Sequence, residues 1–152
     1  LLREEAFRVL GKLDEAIADL ARGDAHLRST LLRSAWVDAL IEAGRAGESL
    51  PAIEAALAET RHQAPWLIRR ARARSSLGQA DDARADWEAA LVELAGRLVP
   101  EDPDPALLVQ QGLALIGLGR REEATVALDS ARRIFPDPTL LAPLERALSG
   151  SH

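Results

Sequence analysis

The chain holds three histidines, His26, His62 and His152, and no cysteine. A helical zinc pair needs two ligands four residues apart, and no histidine here has such a partner. Thiolate metal sites and disulfides are excluded, while the redox compartment stays open. Gly112 and Gly117 have the spacing that opens a phosphate-binding loop. Leu118 and Gly119 then stand where Lys and Ser or Thr are required, and the segment reads as helix, not as a strand-to-helix loop. Glu101, Asp102 and Asp104 gather carboxylates, but a calcium loop needs a central Gly and a closing Glu that are missing. With Pro100, Pro103 and Pro105 between them, these acids read as a turn and a helix cap. No Gly-x-Ser-x-Gly elbow is present. Glu122 and Glu123 suit the start of a helix, where carboxylates favour the macrodipole. The residue pattern therefore points to no enzyme, no cofactor and no metal.

The sharpest charged feature is Arg69, Arg70, Arg72 and Arg74. Arg69 and Arg72, three apart on a helix, can present one face to an acidic peptide or a phosphate. The same spacing suits pairing with an acidic neighbouring helix, for example through Asp38 or Glu42, as surface arginines ordinarily do. The net charge of −5 argues against nucleic acid as the main partner. No apolar run reaches 18 residues, so no membrane span is expected. Apolar content is mostly Ala and Leu, which favour helix over strand, and the fold class that follows is all-α. Eighteen of the nineteen basic residues are Arg, which fits a GC-rich bacterial genome.

The elements that position these residues come from a repeated pattern. From Asp104 to Pro136 two amphipathic helical patterns flank Gly117-Leu118-Gly119-Arg120. Leu108, Gly112 and Leu115 form one stripe, and Ala124, Leu128 and Ala131 the other. Gly119 followed by Ala124 has counterparts in Gly11/Ala16, Gly47/Ala52 and Gly78/Ala83, with Leu20, Ala56, Trp87 and Leu128 four residues further on. The spacing predicts helices over 1–10, 13–25, 29–43 and 48–60, with Pro51 in a first turn. It predicts another from Pro65, one over 81–94, one capped by Asp104 with Pro105 at its first position, and a last one over 139–148. In the helix from Pro65, one frame buries Leu67 and Ala71 and lets Arg74 reach outward; the other buries Trp66 and Ala73 and turns Arg70 inward. The first is preferred, because an arginine at a helix end can snorkel.

This pattern resembles the tetratricopeptide repeat, a helix pair of about 34 residues with an Ala-x3-large apolar signature and a closing Pro. The resemblance implies an α-solenoid of antiparallel helix pairs, a right-handed superhelix of about nine helices. Repeats fall at about 1–28, 29–64, 65–99 and 104–136, with a capping helix over 138–148, in a single domain over 1–148. Residues 149–152 read as the start of an expression tag, and the chain as a fragment whose N-terminus is truncated. The cytoplasm is favoured, with the periplasm left open by that truncation.

The resemblance further implies a protein-interaction scaffold whose concave face, lined by the first helix of each pair, holds a peptide or helix of a partner protein. The positions on that face are Val37, Ile41, Ile68, Arg69, Arg72, Val109 and Leu113, with Ile116 beyond. The family's clamp for a C-terminal carboxylate needs Lys or Asn at these places, so an apolar segment is the expected partner. The alternative for the apolar positions is that they pack between neighbouring helices. Self-association through apolar faces and a regulatory role beside an enzyme or transcription factor are the competing functions.

Overall fold

The computed structural model describes residues 2–23 and 30–150, and these form eight α-helices: α1 Leu2–Gly23, α2 Thr30–Glu42, α3 Ala46–Glu59, α4 Ala64–Ser76, α5 Ala80–Arg97, α6 Pro105–Gly117, α7 Arg121–Ile134 and α8 Pro138–Gly150. No strand occurs among the described residues, so the chain is all-α as its composition requires. His26, Ser29 and the terminal His152 lie outside the described residues.

Three turns share one construction. Gly44, Gly78 and Gly119 adopt positive φ of 82°, 78° and 77°. The following residue sends its N–H five positions back, from Arg45 to Leu40, Gln79 to Arg74 and Arg120 to Leu115, each at 2.8 Å. This is the Schellman closure, in which a left-handed residue free of Cβ strain satisfies the last helical carbonyls. It joins α2 to α3, α4 to α5 and α6 to α7.

The turn before α3 is at Gly44 and not at Gly47, which lies inside the helix. The positions five and nine residues on are therefore Ser49 and Ile53, both fully buried, while Ala52 is only partly buried and Ala56 is buried beside them. Ser49 can stand where the other pairs have Ala83 and Ala124 because its hydroxyl donates to the Ala46 carbonyl at 2.6 Å. Pro51 accordingly sits in the second turn of α3, where its missing N–H leaves the Gly47 carbonyl without a helical donor.

The expected break at Gly11 is also absent, and α1 runs through it as one helix, which makes eight helices among the described residues where nine were expected. A lone glycine inside a helix costs about 1 kcal/mol but does not end it without a left-handed turn. At the other end Asp104 caps α6 by accepting from Ala106 N–H at 2.9 Å, and Asp137 does the same for Thr139 at 3.0 Å.

Each helix packs on its neighbours in sequence, and α2, α4, α6 and α8 also touch in succession. They form an inner row, whereas α3, α5 and α7 make no contact with one another. One core joins Val37, Ile53, Trp66, Ile68, Ala90 and Leu94 with Leu107 and Ala114 of α6. A second joins Leu108, Val109, Leu128, Leu141 and Leu144. A third holds α1 to α2 through Ala6, Leu10, Leu40 and Ala43, where the Trp36 indole also donates to Asp14 at 2.8 Å.

Candidate interaction surfaces

The apolar positions expected to line an open concave face are closed. Val37 is 0% exposed, Ile41 9%, Ile68 5% and Val109 5%. The first three share the larger core and Val109 belongs to the second, while Leu113 is half-buried against both, and Ile116 is partly buried on the second. The cause is the inner row itself. The side of α2, α4 and α6 that the spacing aims at a groove instead meets the next inner helix. Periodicity marks a side as apolar without saying whether a neighbour covers it.

Both frames considered for α4 are occupied together. Trp66, Leu67, Ile68, Ala71 and Ala73 are all buried, so the apolar surface wraps most of the helix. Its arginines are turned into ties. Arg69 donates to Asp38 of α2 at 3.0 and 3.3 Å, lies 4.9 Å over the Trp66 ring, and is joined at Asp38 by Arg72 at 3.1 Å. Arg70 holds Asp86 of α5 at 3.0 and 2.8 Å and Glu54 of α3 at 2.9 Å. Arg74 adds a third bond to Asp86 at 2.9 Å. The hydrogen bonds to Asp86 raise the Arg70 pKa, with Glu54 adding to the effect, so the guanidinium is fixed as a cation. Asp86 is the one buried acid among the described residues, 4% exposed, and bidentate pairing of this kind keeps a buried carboxylate satisfied. All four guanidiniums are therefore already bonded to acids of the same chain.

Glu93 of α5 has a related role that no local pattern announces. Its carboxylate accepts the N–H groups of Gln63 and Ala64 at 2.8 and 3.1 Å, the orphan donors at the start of α4. Gln63 itself gives no side-chain cap.

An open surface among the described residues lies on the outer side, where α5 and α7 stand apart over α6. A groove of about 450 Å³ runs between them. Leu91 and Ala95 of α5 form one wall, Leu108, Gln111 and Leu115 of α6 the floor, and Val126, Ala127 and Ser130 of α7 the other wall. Arg120 and Glu123, paired with each other, stand at its rim. Val126 is 64% exposed, and Val92, on α5 outside the lining, 75%. The sequence hid this groove, since its floor residues were assigned to packing. The signal was the spacing of the turn glycines: 34 residues separate Gly44 from Gly78, and 41 separate Gly78 from Gly119. The excess lies in the longer α5 and in the seven residues 98–104, against four at 60–63 and three at 135–137.

The α5–α6 seam is close. A Cβ on Gly117 would fall 2.1 Å from Cε2 of Trp87, so the indole lies directly on the glycine. Trp87 Nε1 and, on α6, Gln110 Oε1 are buried with no hydrogen-bond partner among the described protein groups. Among the described residues no cluster of His, Cys, Asp and Glu has the makings of a metal site, and no helix is long and apolar enough to cross a membrane. Comparison with protein-family models, with curated proteins and with solved structures finds no match.

Proposed function

We propose that this chain is a tetratricopeptide-like solenoid of helix pairs that serves as a protein-interaction scaffold, taking an apolar segment of a partner protein in the α5–α6–α7 groove. What carries this reading is that groove: an apolar floor with a polar rim, open between two outer helices that do not touch. Support for the repeat architecture comes from the three matching Schellman turns and from the inner row of helices. Stacked pairs of this kind bury a continuous core and leave extended surfaces for partners. The concave positions named from the sequence contribute to the scaffold through packing and ion pairs, which moves the docking surface to the outer side.

The test uses residues whose replacement spares the core. Ala95→Glu and Val126→Glu place charge in the groove, and Val92→Glu places it beside the groove on the most exposed valine. In affinity capture from a high-GC bacterial lysate, a protein retained by the wild type and by Val92→Glu but lost from the two groove variants is the expected result. Equal recovery on all baits, each checked for helicity by circular dichroism, would overturn the assignment.

A further inference from the structure

The groove between α5 and α7 is largely apolar along its walls, with one polar group set into its floor. Leu108, Gln111 and Leu115 stand at i, i+3 and i+7 of α6, a single stripe that faces the opening. Gln111 is half-buried in the middle of that stripe. The other polar lining groups are bonded within the chain: Arg120 and Glu123 pair at the rim, and the Ser130 hydroxyl accepts from Arg133 at 3.3 Å. A carboxamide offers an acceptor oxygen and two donors in one plane. A segment that covers the floor takes water away from that group and must replace both kinds of bond.

Resting on the docking role proposed for this groove, we infer that its occupant is an extended segment and not a helix, selected by Gln111 through a backbone N–H and C=O. The inner residues of a helix spend both backbone groups on their own helix, so its apolar side gives a carboxamide nothing. In an extended segment the N–H and C=O of one residue leave on the same side. The carboxamide accepts from the first and donates to the second. With that side down on α6, successive side chains point to opposite walls. They meet Leu91 and Ala95 on α5 and Val126 and Ala127 on α7, so both walls are used. The lengths agree. From Leu108 to Leu115 the helix rises about 10 Å at ~1.5 Å per residue, and three extended residues cover the same span at ~3.3 Å each. The recognised element is a run of three apolar, strand-forming residues with the middle one over Gln111.

The probe is the capped pentapeptide Ser-Val-Ile-Val-Ser. It is compared with a form N-methylated at the central Ile, and with a lactam-bridged helical peptide carrying the same three apolar residues on one side. Binding is titrated by two-dimensional NMR on isotope-labelled protein. The pentapeptide is expected to shift the Gln111 side-chain amide together with the backbone signals of Leu91 and Val126. N-methylation removes the donor and leaves the protein untouched, and it is expected to weaken binding about tenfold, the factor for one buried polar group left unpaired. Gln111→Leu is expected to weaken the pentapeptide to the same degree and to leave the helical peptide bound as well or better. An N-methylated form that binds as tightly as its parent would overturn the extended-segment inference and spare the docking role. So would undiminished pentapeptide binding by a Gln111→Leu protein of wild-type helicity, or a helical peptide that binds the wild type at least as tightly as the pentapeptide. If neither peptide moves a groove signal, the docking role fails and this inference fails with it.

Discussion

The α4–α5 and α5–α6 contacts use the same partner helix in opposite ways. Across the first, Arg70 and Arg74 place three hydrogen bonds on Asp86, and Glu93 reaches back to cap α4. Across the second, a tryptophan lies on a glycine. Charged hydrogen bonds fix distance and angle together, because a guanidinium fork matches a carboxylate in one orientation only. Apolar contact fixes distance and leaves angle loosely set, because burial is non-directional. The α4–α5 joint is pinned by charge and the α5–α6 joint is packed by shape, with the groove beside the second.

The comparison breaks first at Asp86. Asp86→Ala removes the shared acceptor of two guanidiniums and is expected to destabilise the protein by about 3 kcal/mol, since Arg74 stays largely buried without a counter-charge and Arg70 keeps Glu54 alone. Urea unfolding followed by circular dichroism reads it, and a loss below about 1 kcal/mol would mean the pinned joint is no stronger than a surface pair. Glu93→Ala is smaller, about 1 kcal/mol for two lost N–H acceptors, and its mark is local. Hydrogen exchange is expected to quicken at the first turn of α4 and to leave α6 unchanged.

The smallest effect is an exposed pair at the α2–α3 turn. The hydrogen bond from Arg45 holds the Glu48 carboxyl below its ordinary pKa. A depressed folded pKa gives stability that is present above the unfolded value and lost as pH falls through the folded one. The wild type is thus expected to lose slightly more melting temperature than Glu48→Gln when pH is lowered from 6 to below the ordinary 4.5. Equal losses would show that the pair adds nothing.

Much of this was legible where the signal is local. Asp104-Pro105 and Asp137-Pro138 announced α6 and α8, because a cap needs only its own next residues. Gly78 and Gly119 announced their turns, and Asp38 was among the acids offered for Arg69 and Arg72. Gly44 was passed over for Gly47, since Ser49 does not look like the Ala that the pattern asks for until its hydroxyl is seen bonded to Ala46. Gly11 was taken for a turn because composition cannot show the sign of φ. Val37, Ile68 and Val109 were given to a groove because spacing names a side of a helix and not what lies against it. Glu93 and the Trp87–Gly117 seat were out of reach, being contacts between residues about 30 positions apart.

The cap that Glu93 supplies has a consequence for the order of assembly on the ribosome. Helix α4 leaves the exit tunnel about thirty residues ahead of the acid that completes its first turn. Until α5 has emerged and folded back, the N–H groups of Gln63 and Ala64 have only water, and a 13-residue helix is marginal in that state. The nascent chain therefore gains its middle as a hairpin in one step, α4 and α5 together, while α6 waits on the far side of a proline-rich spacer.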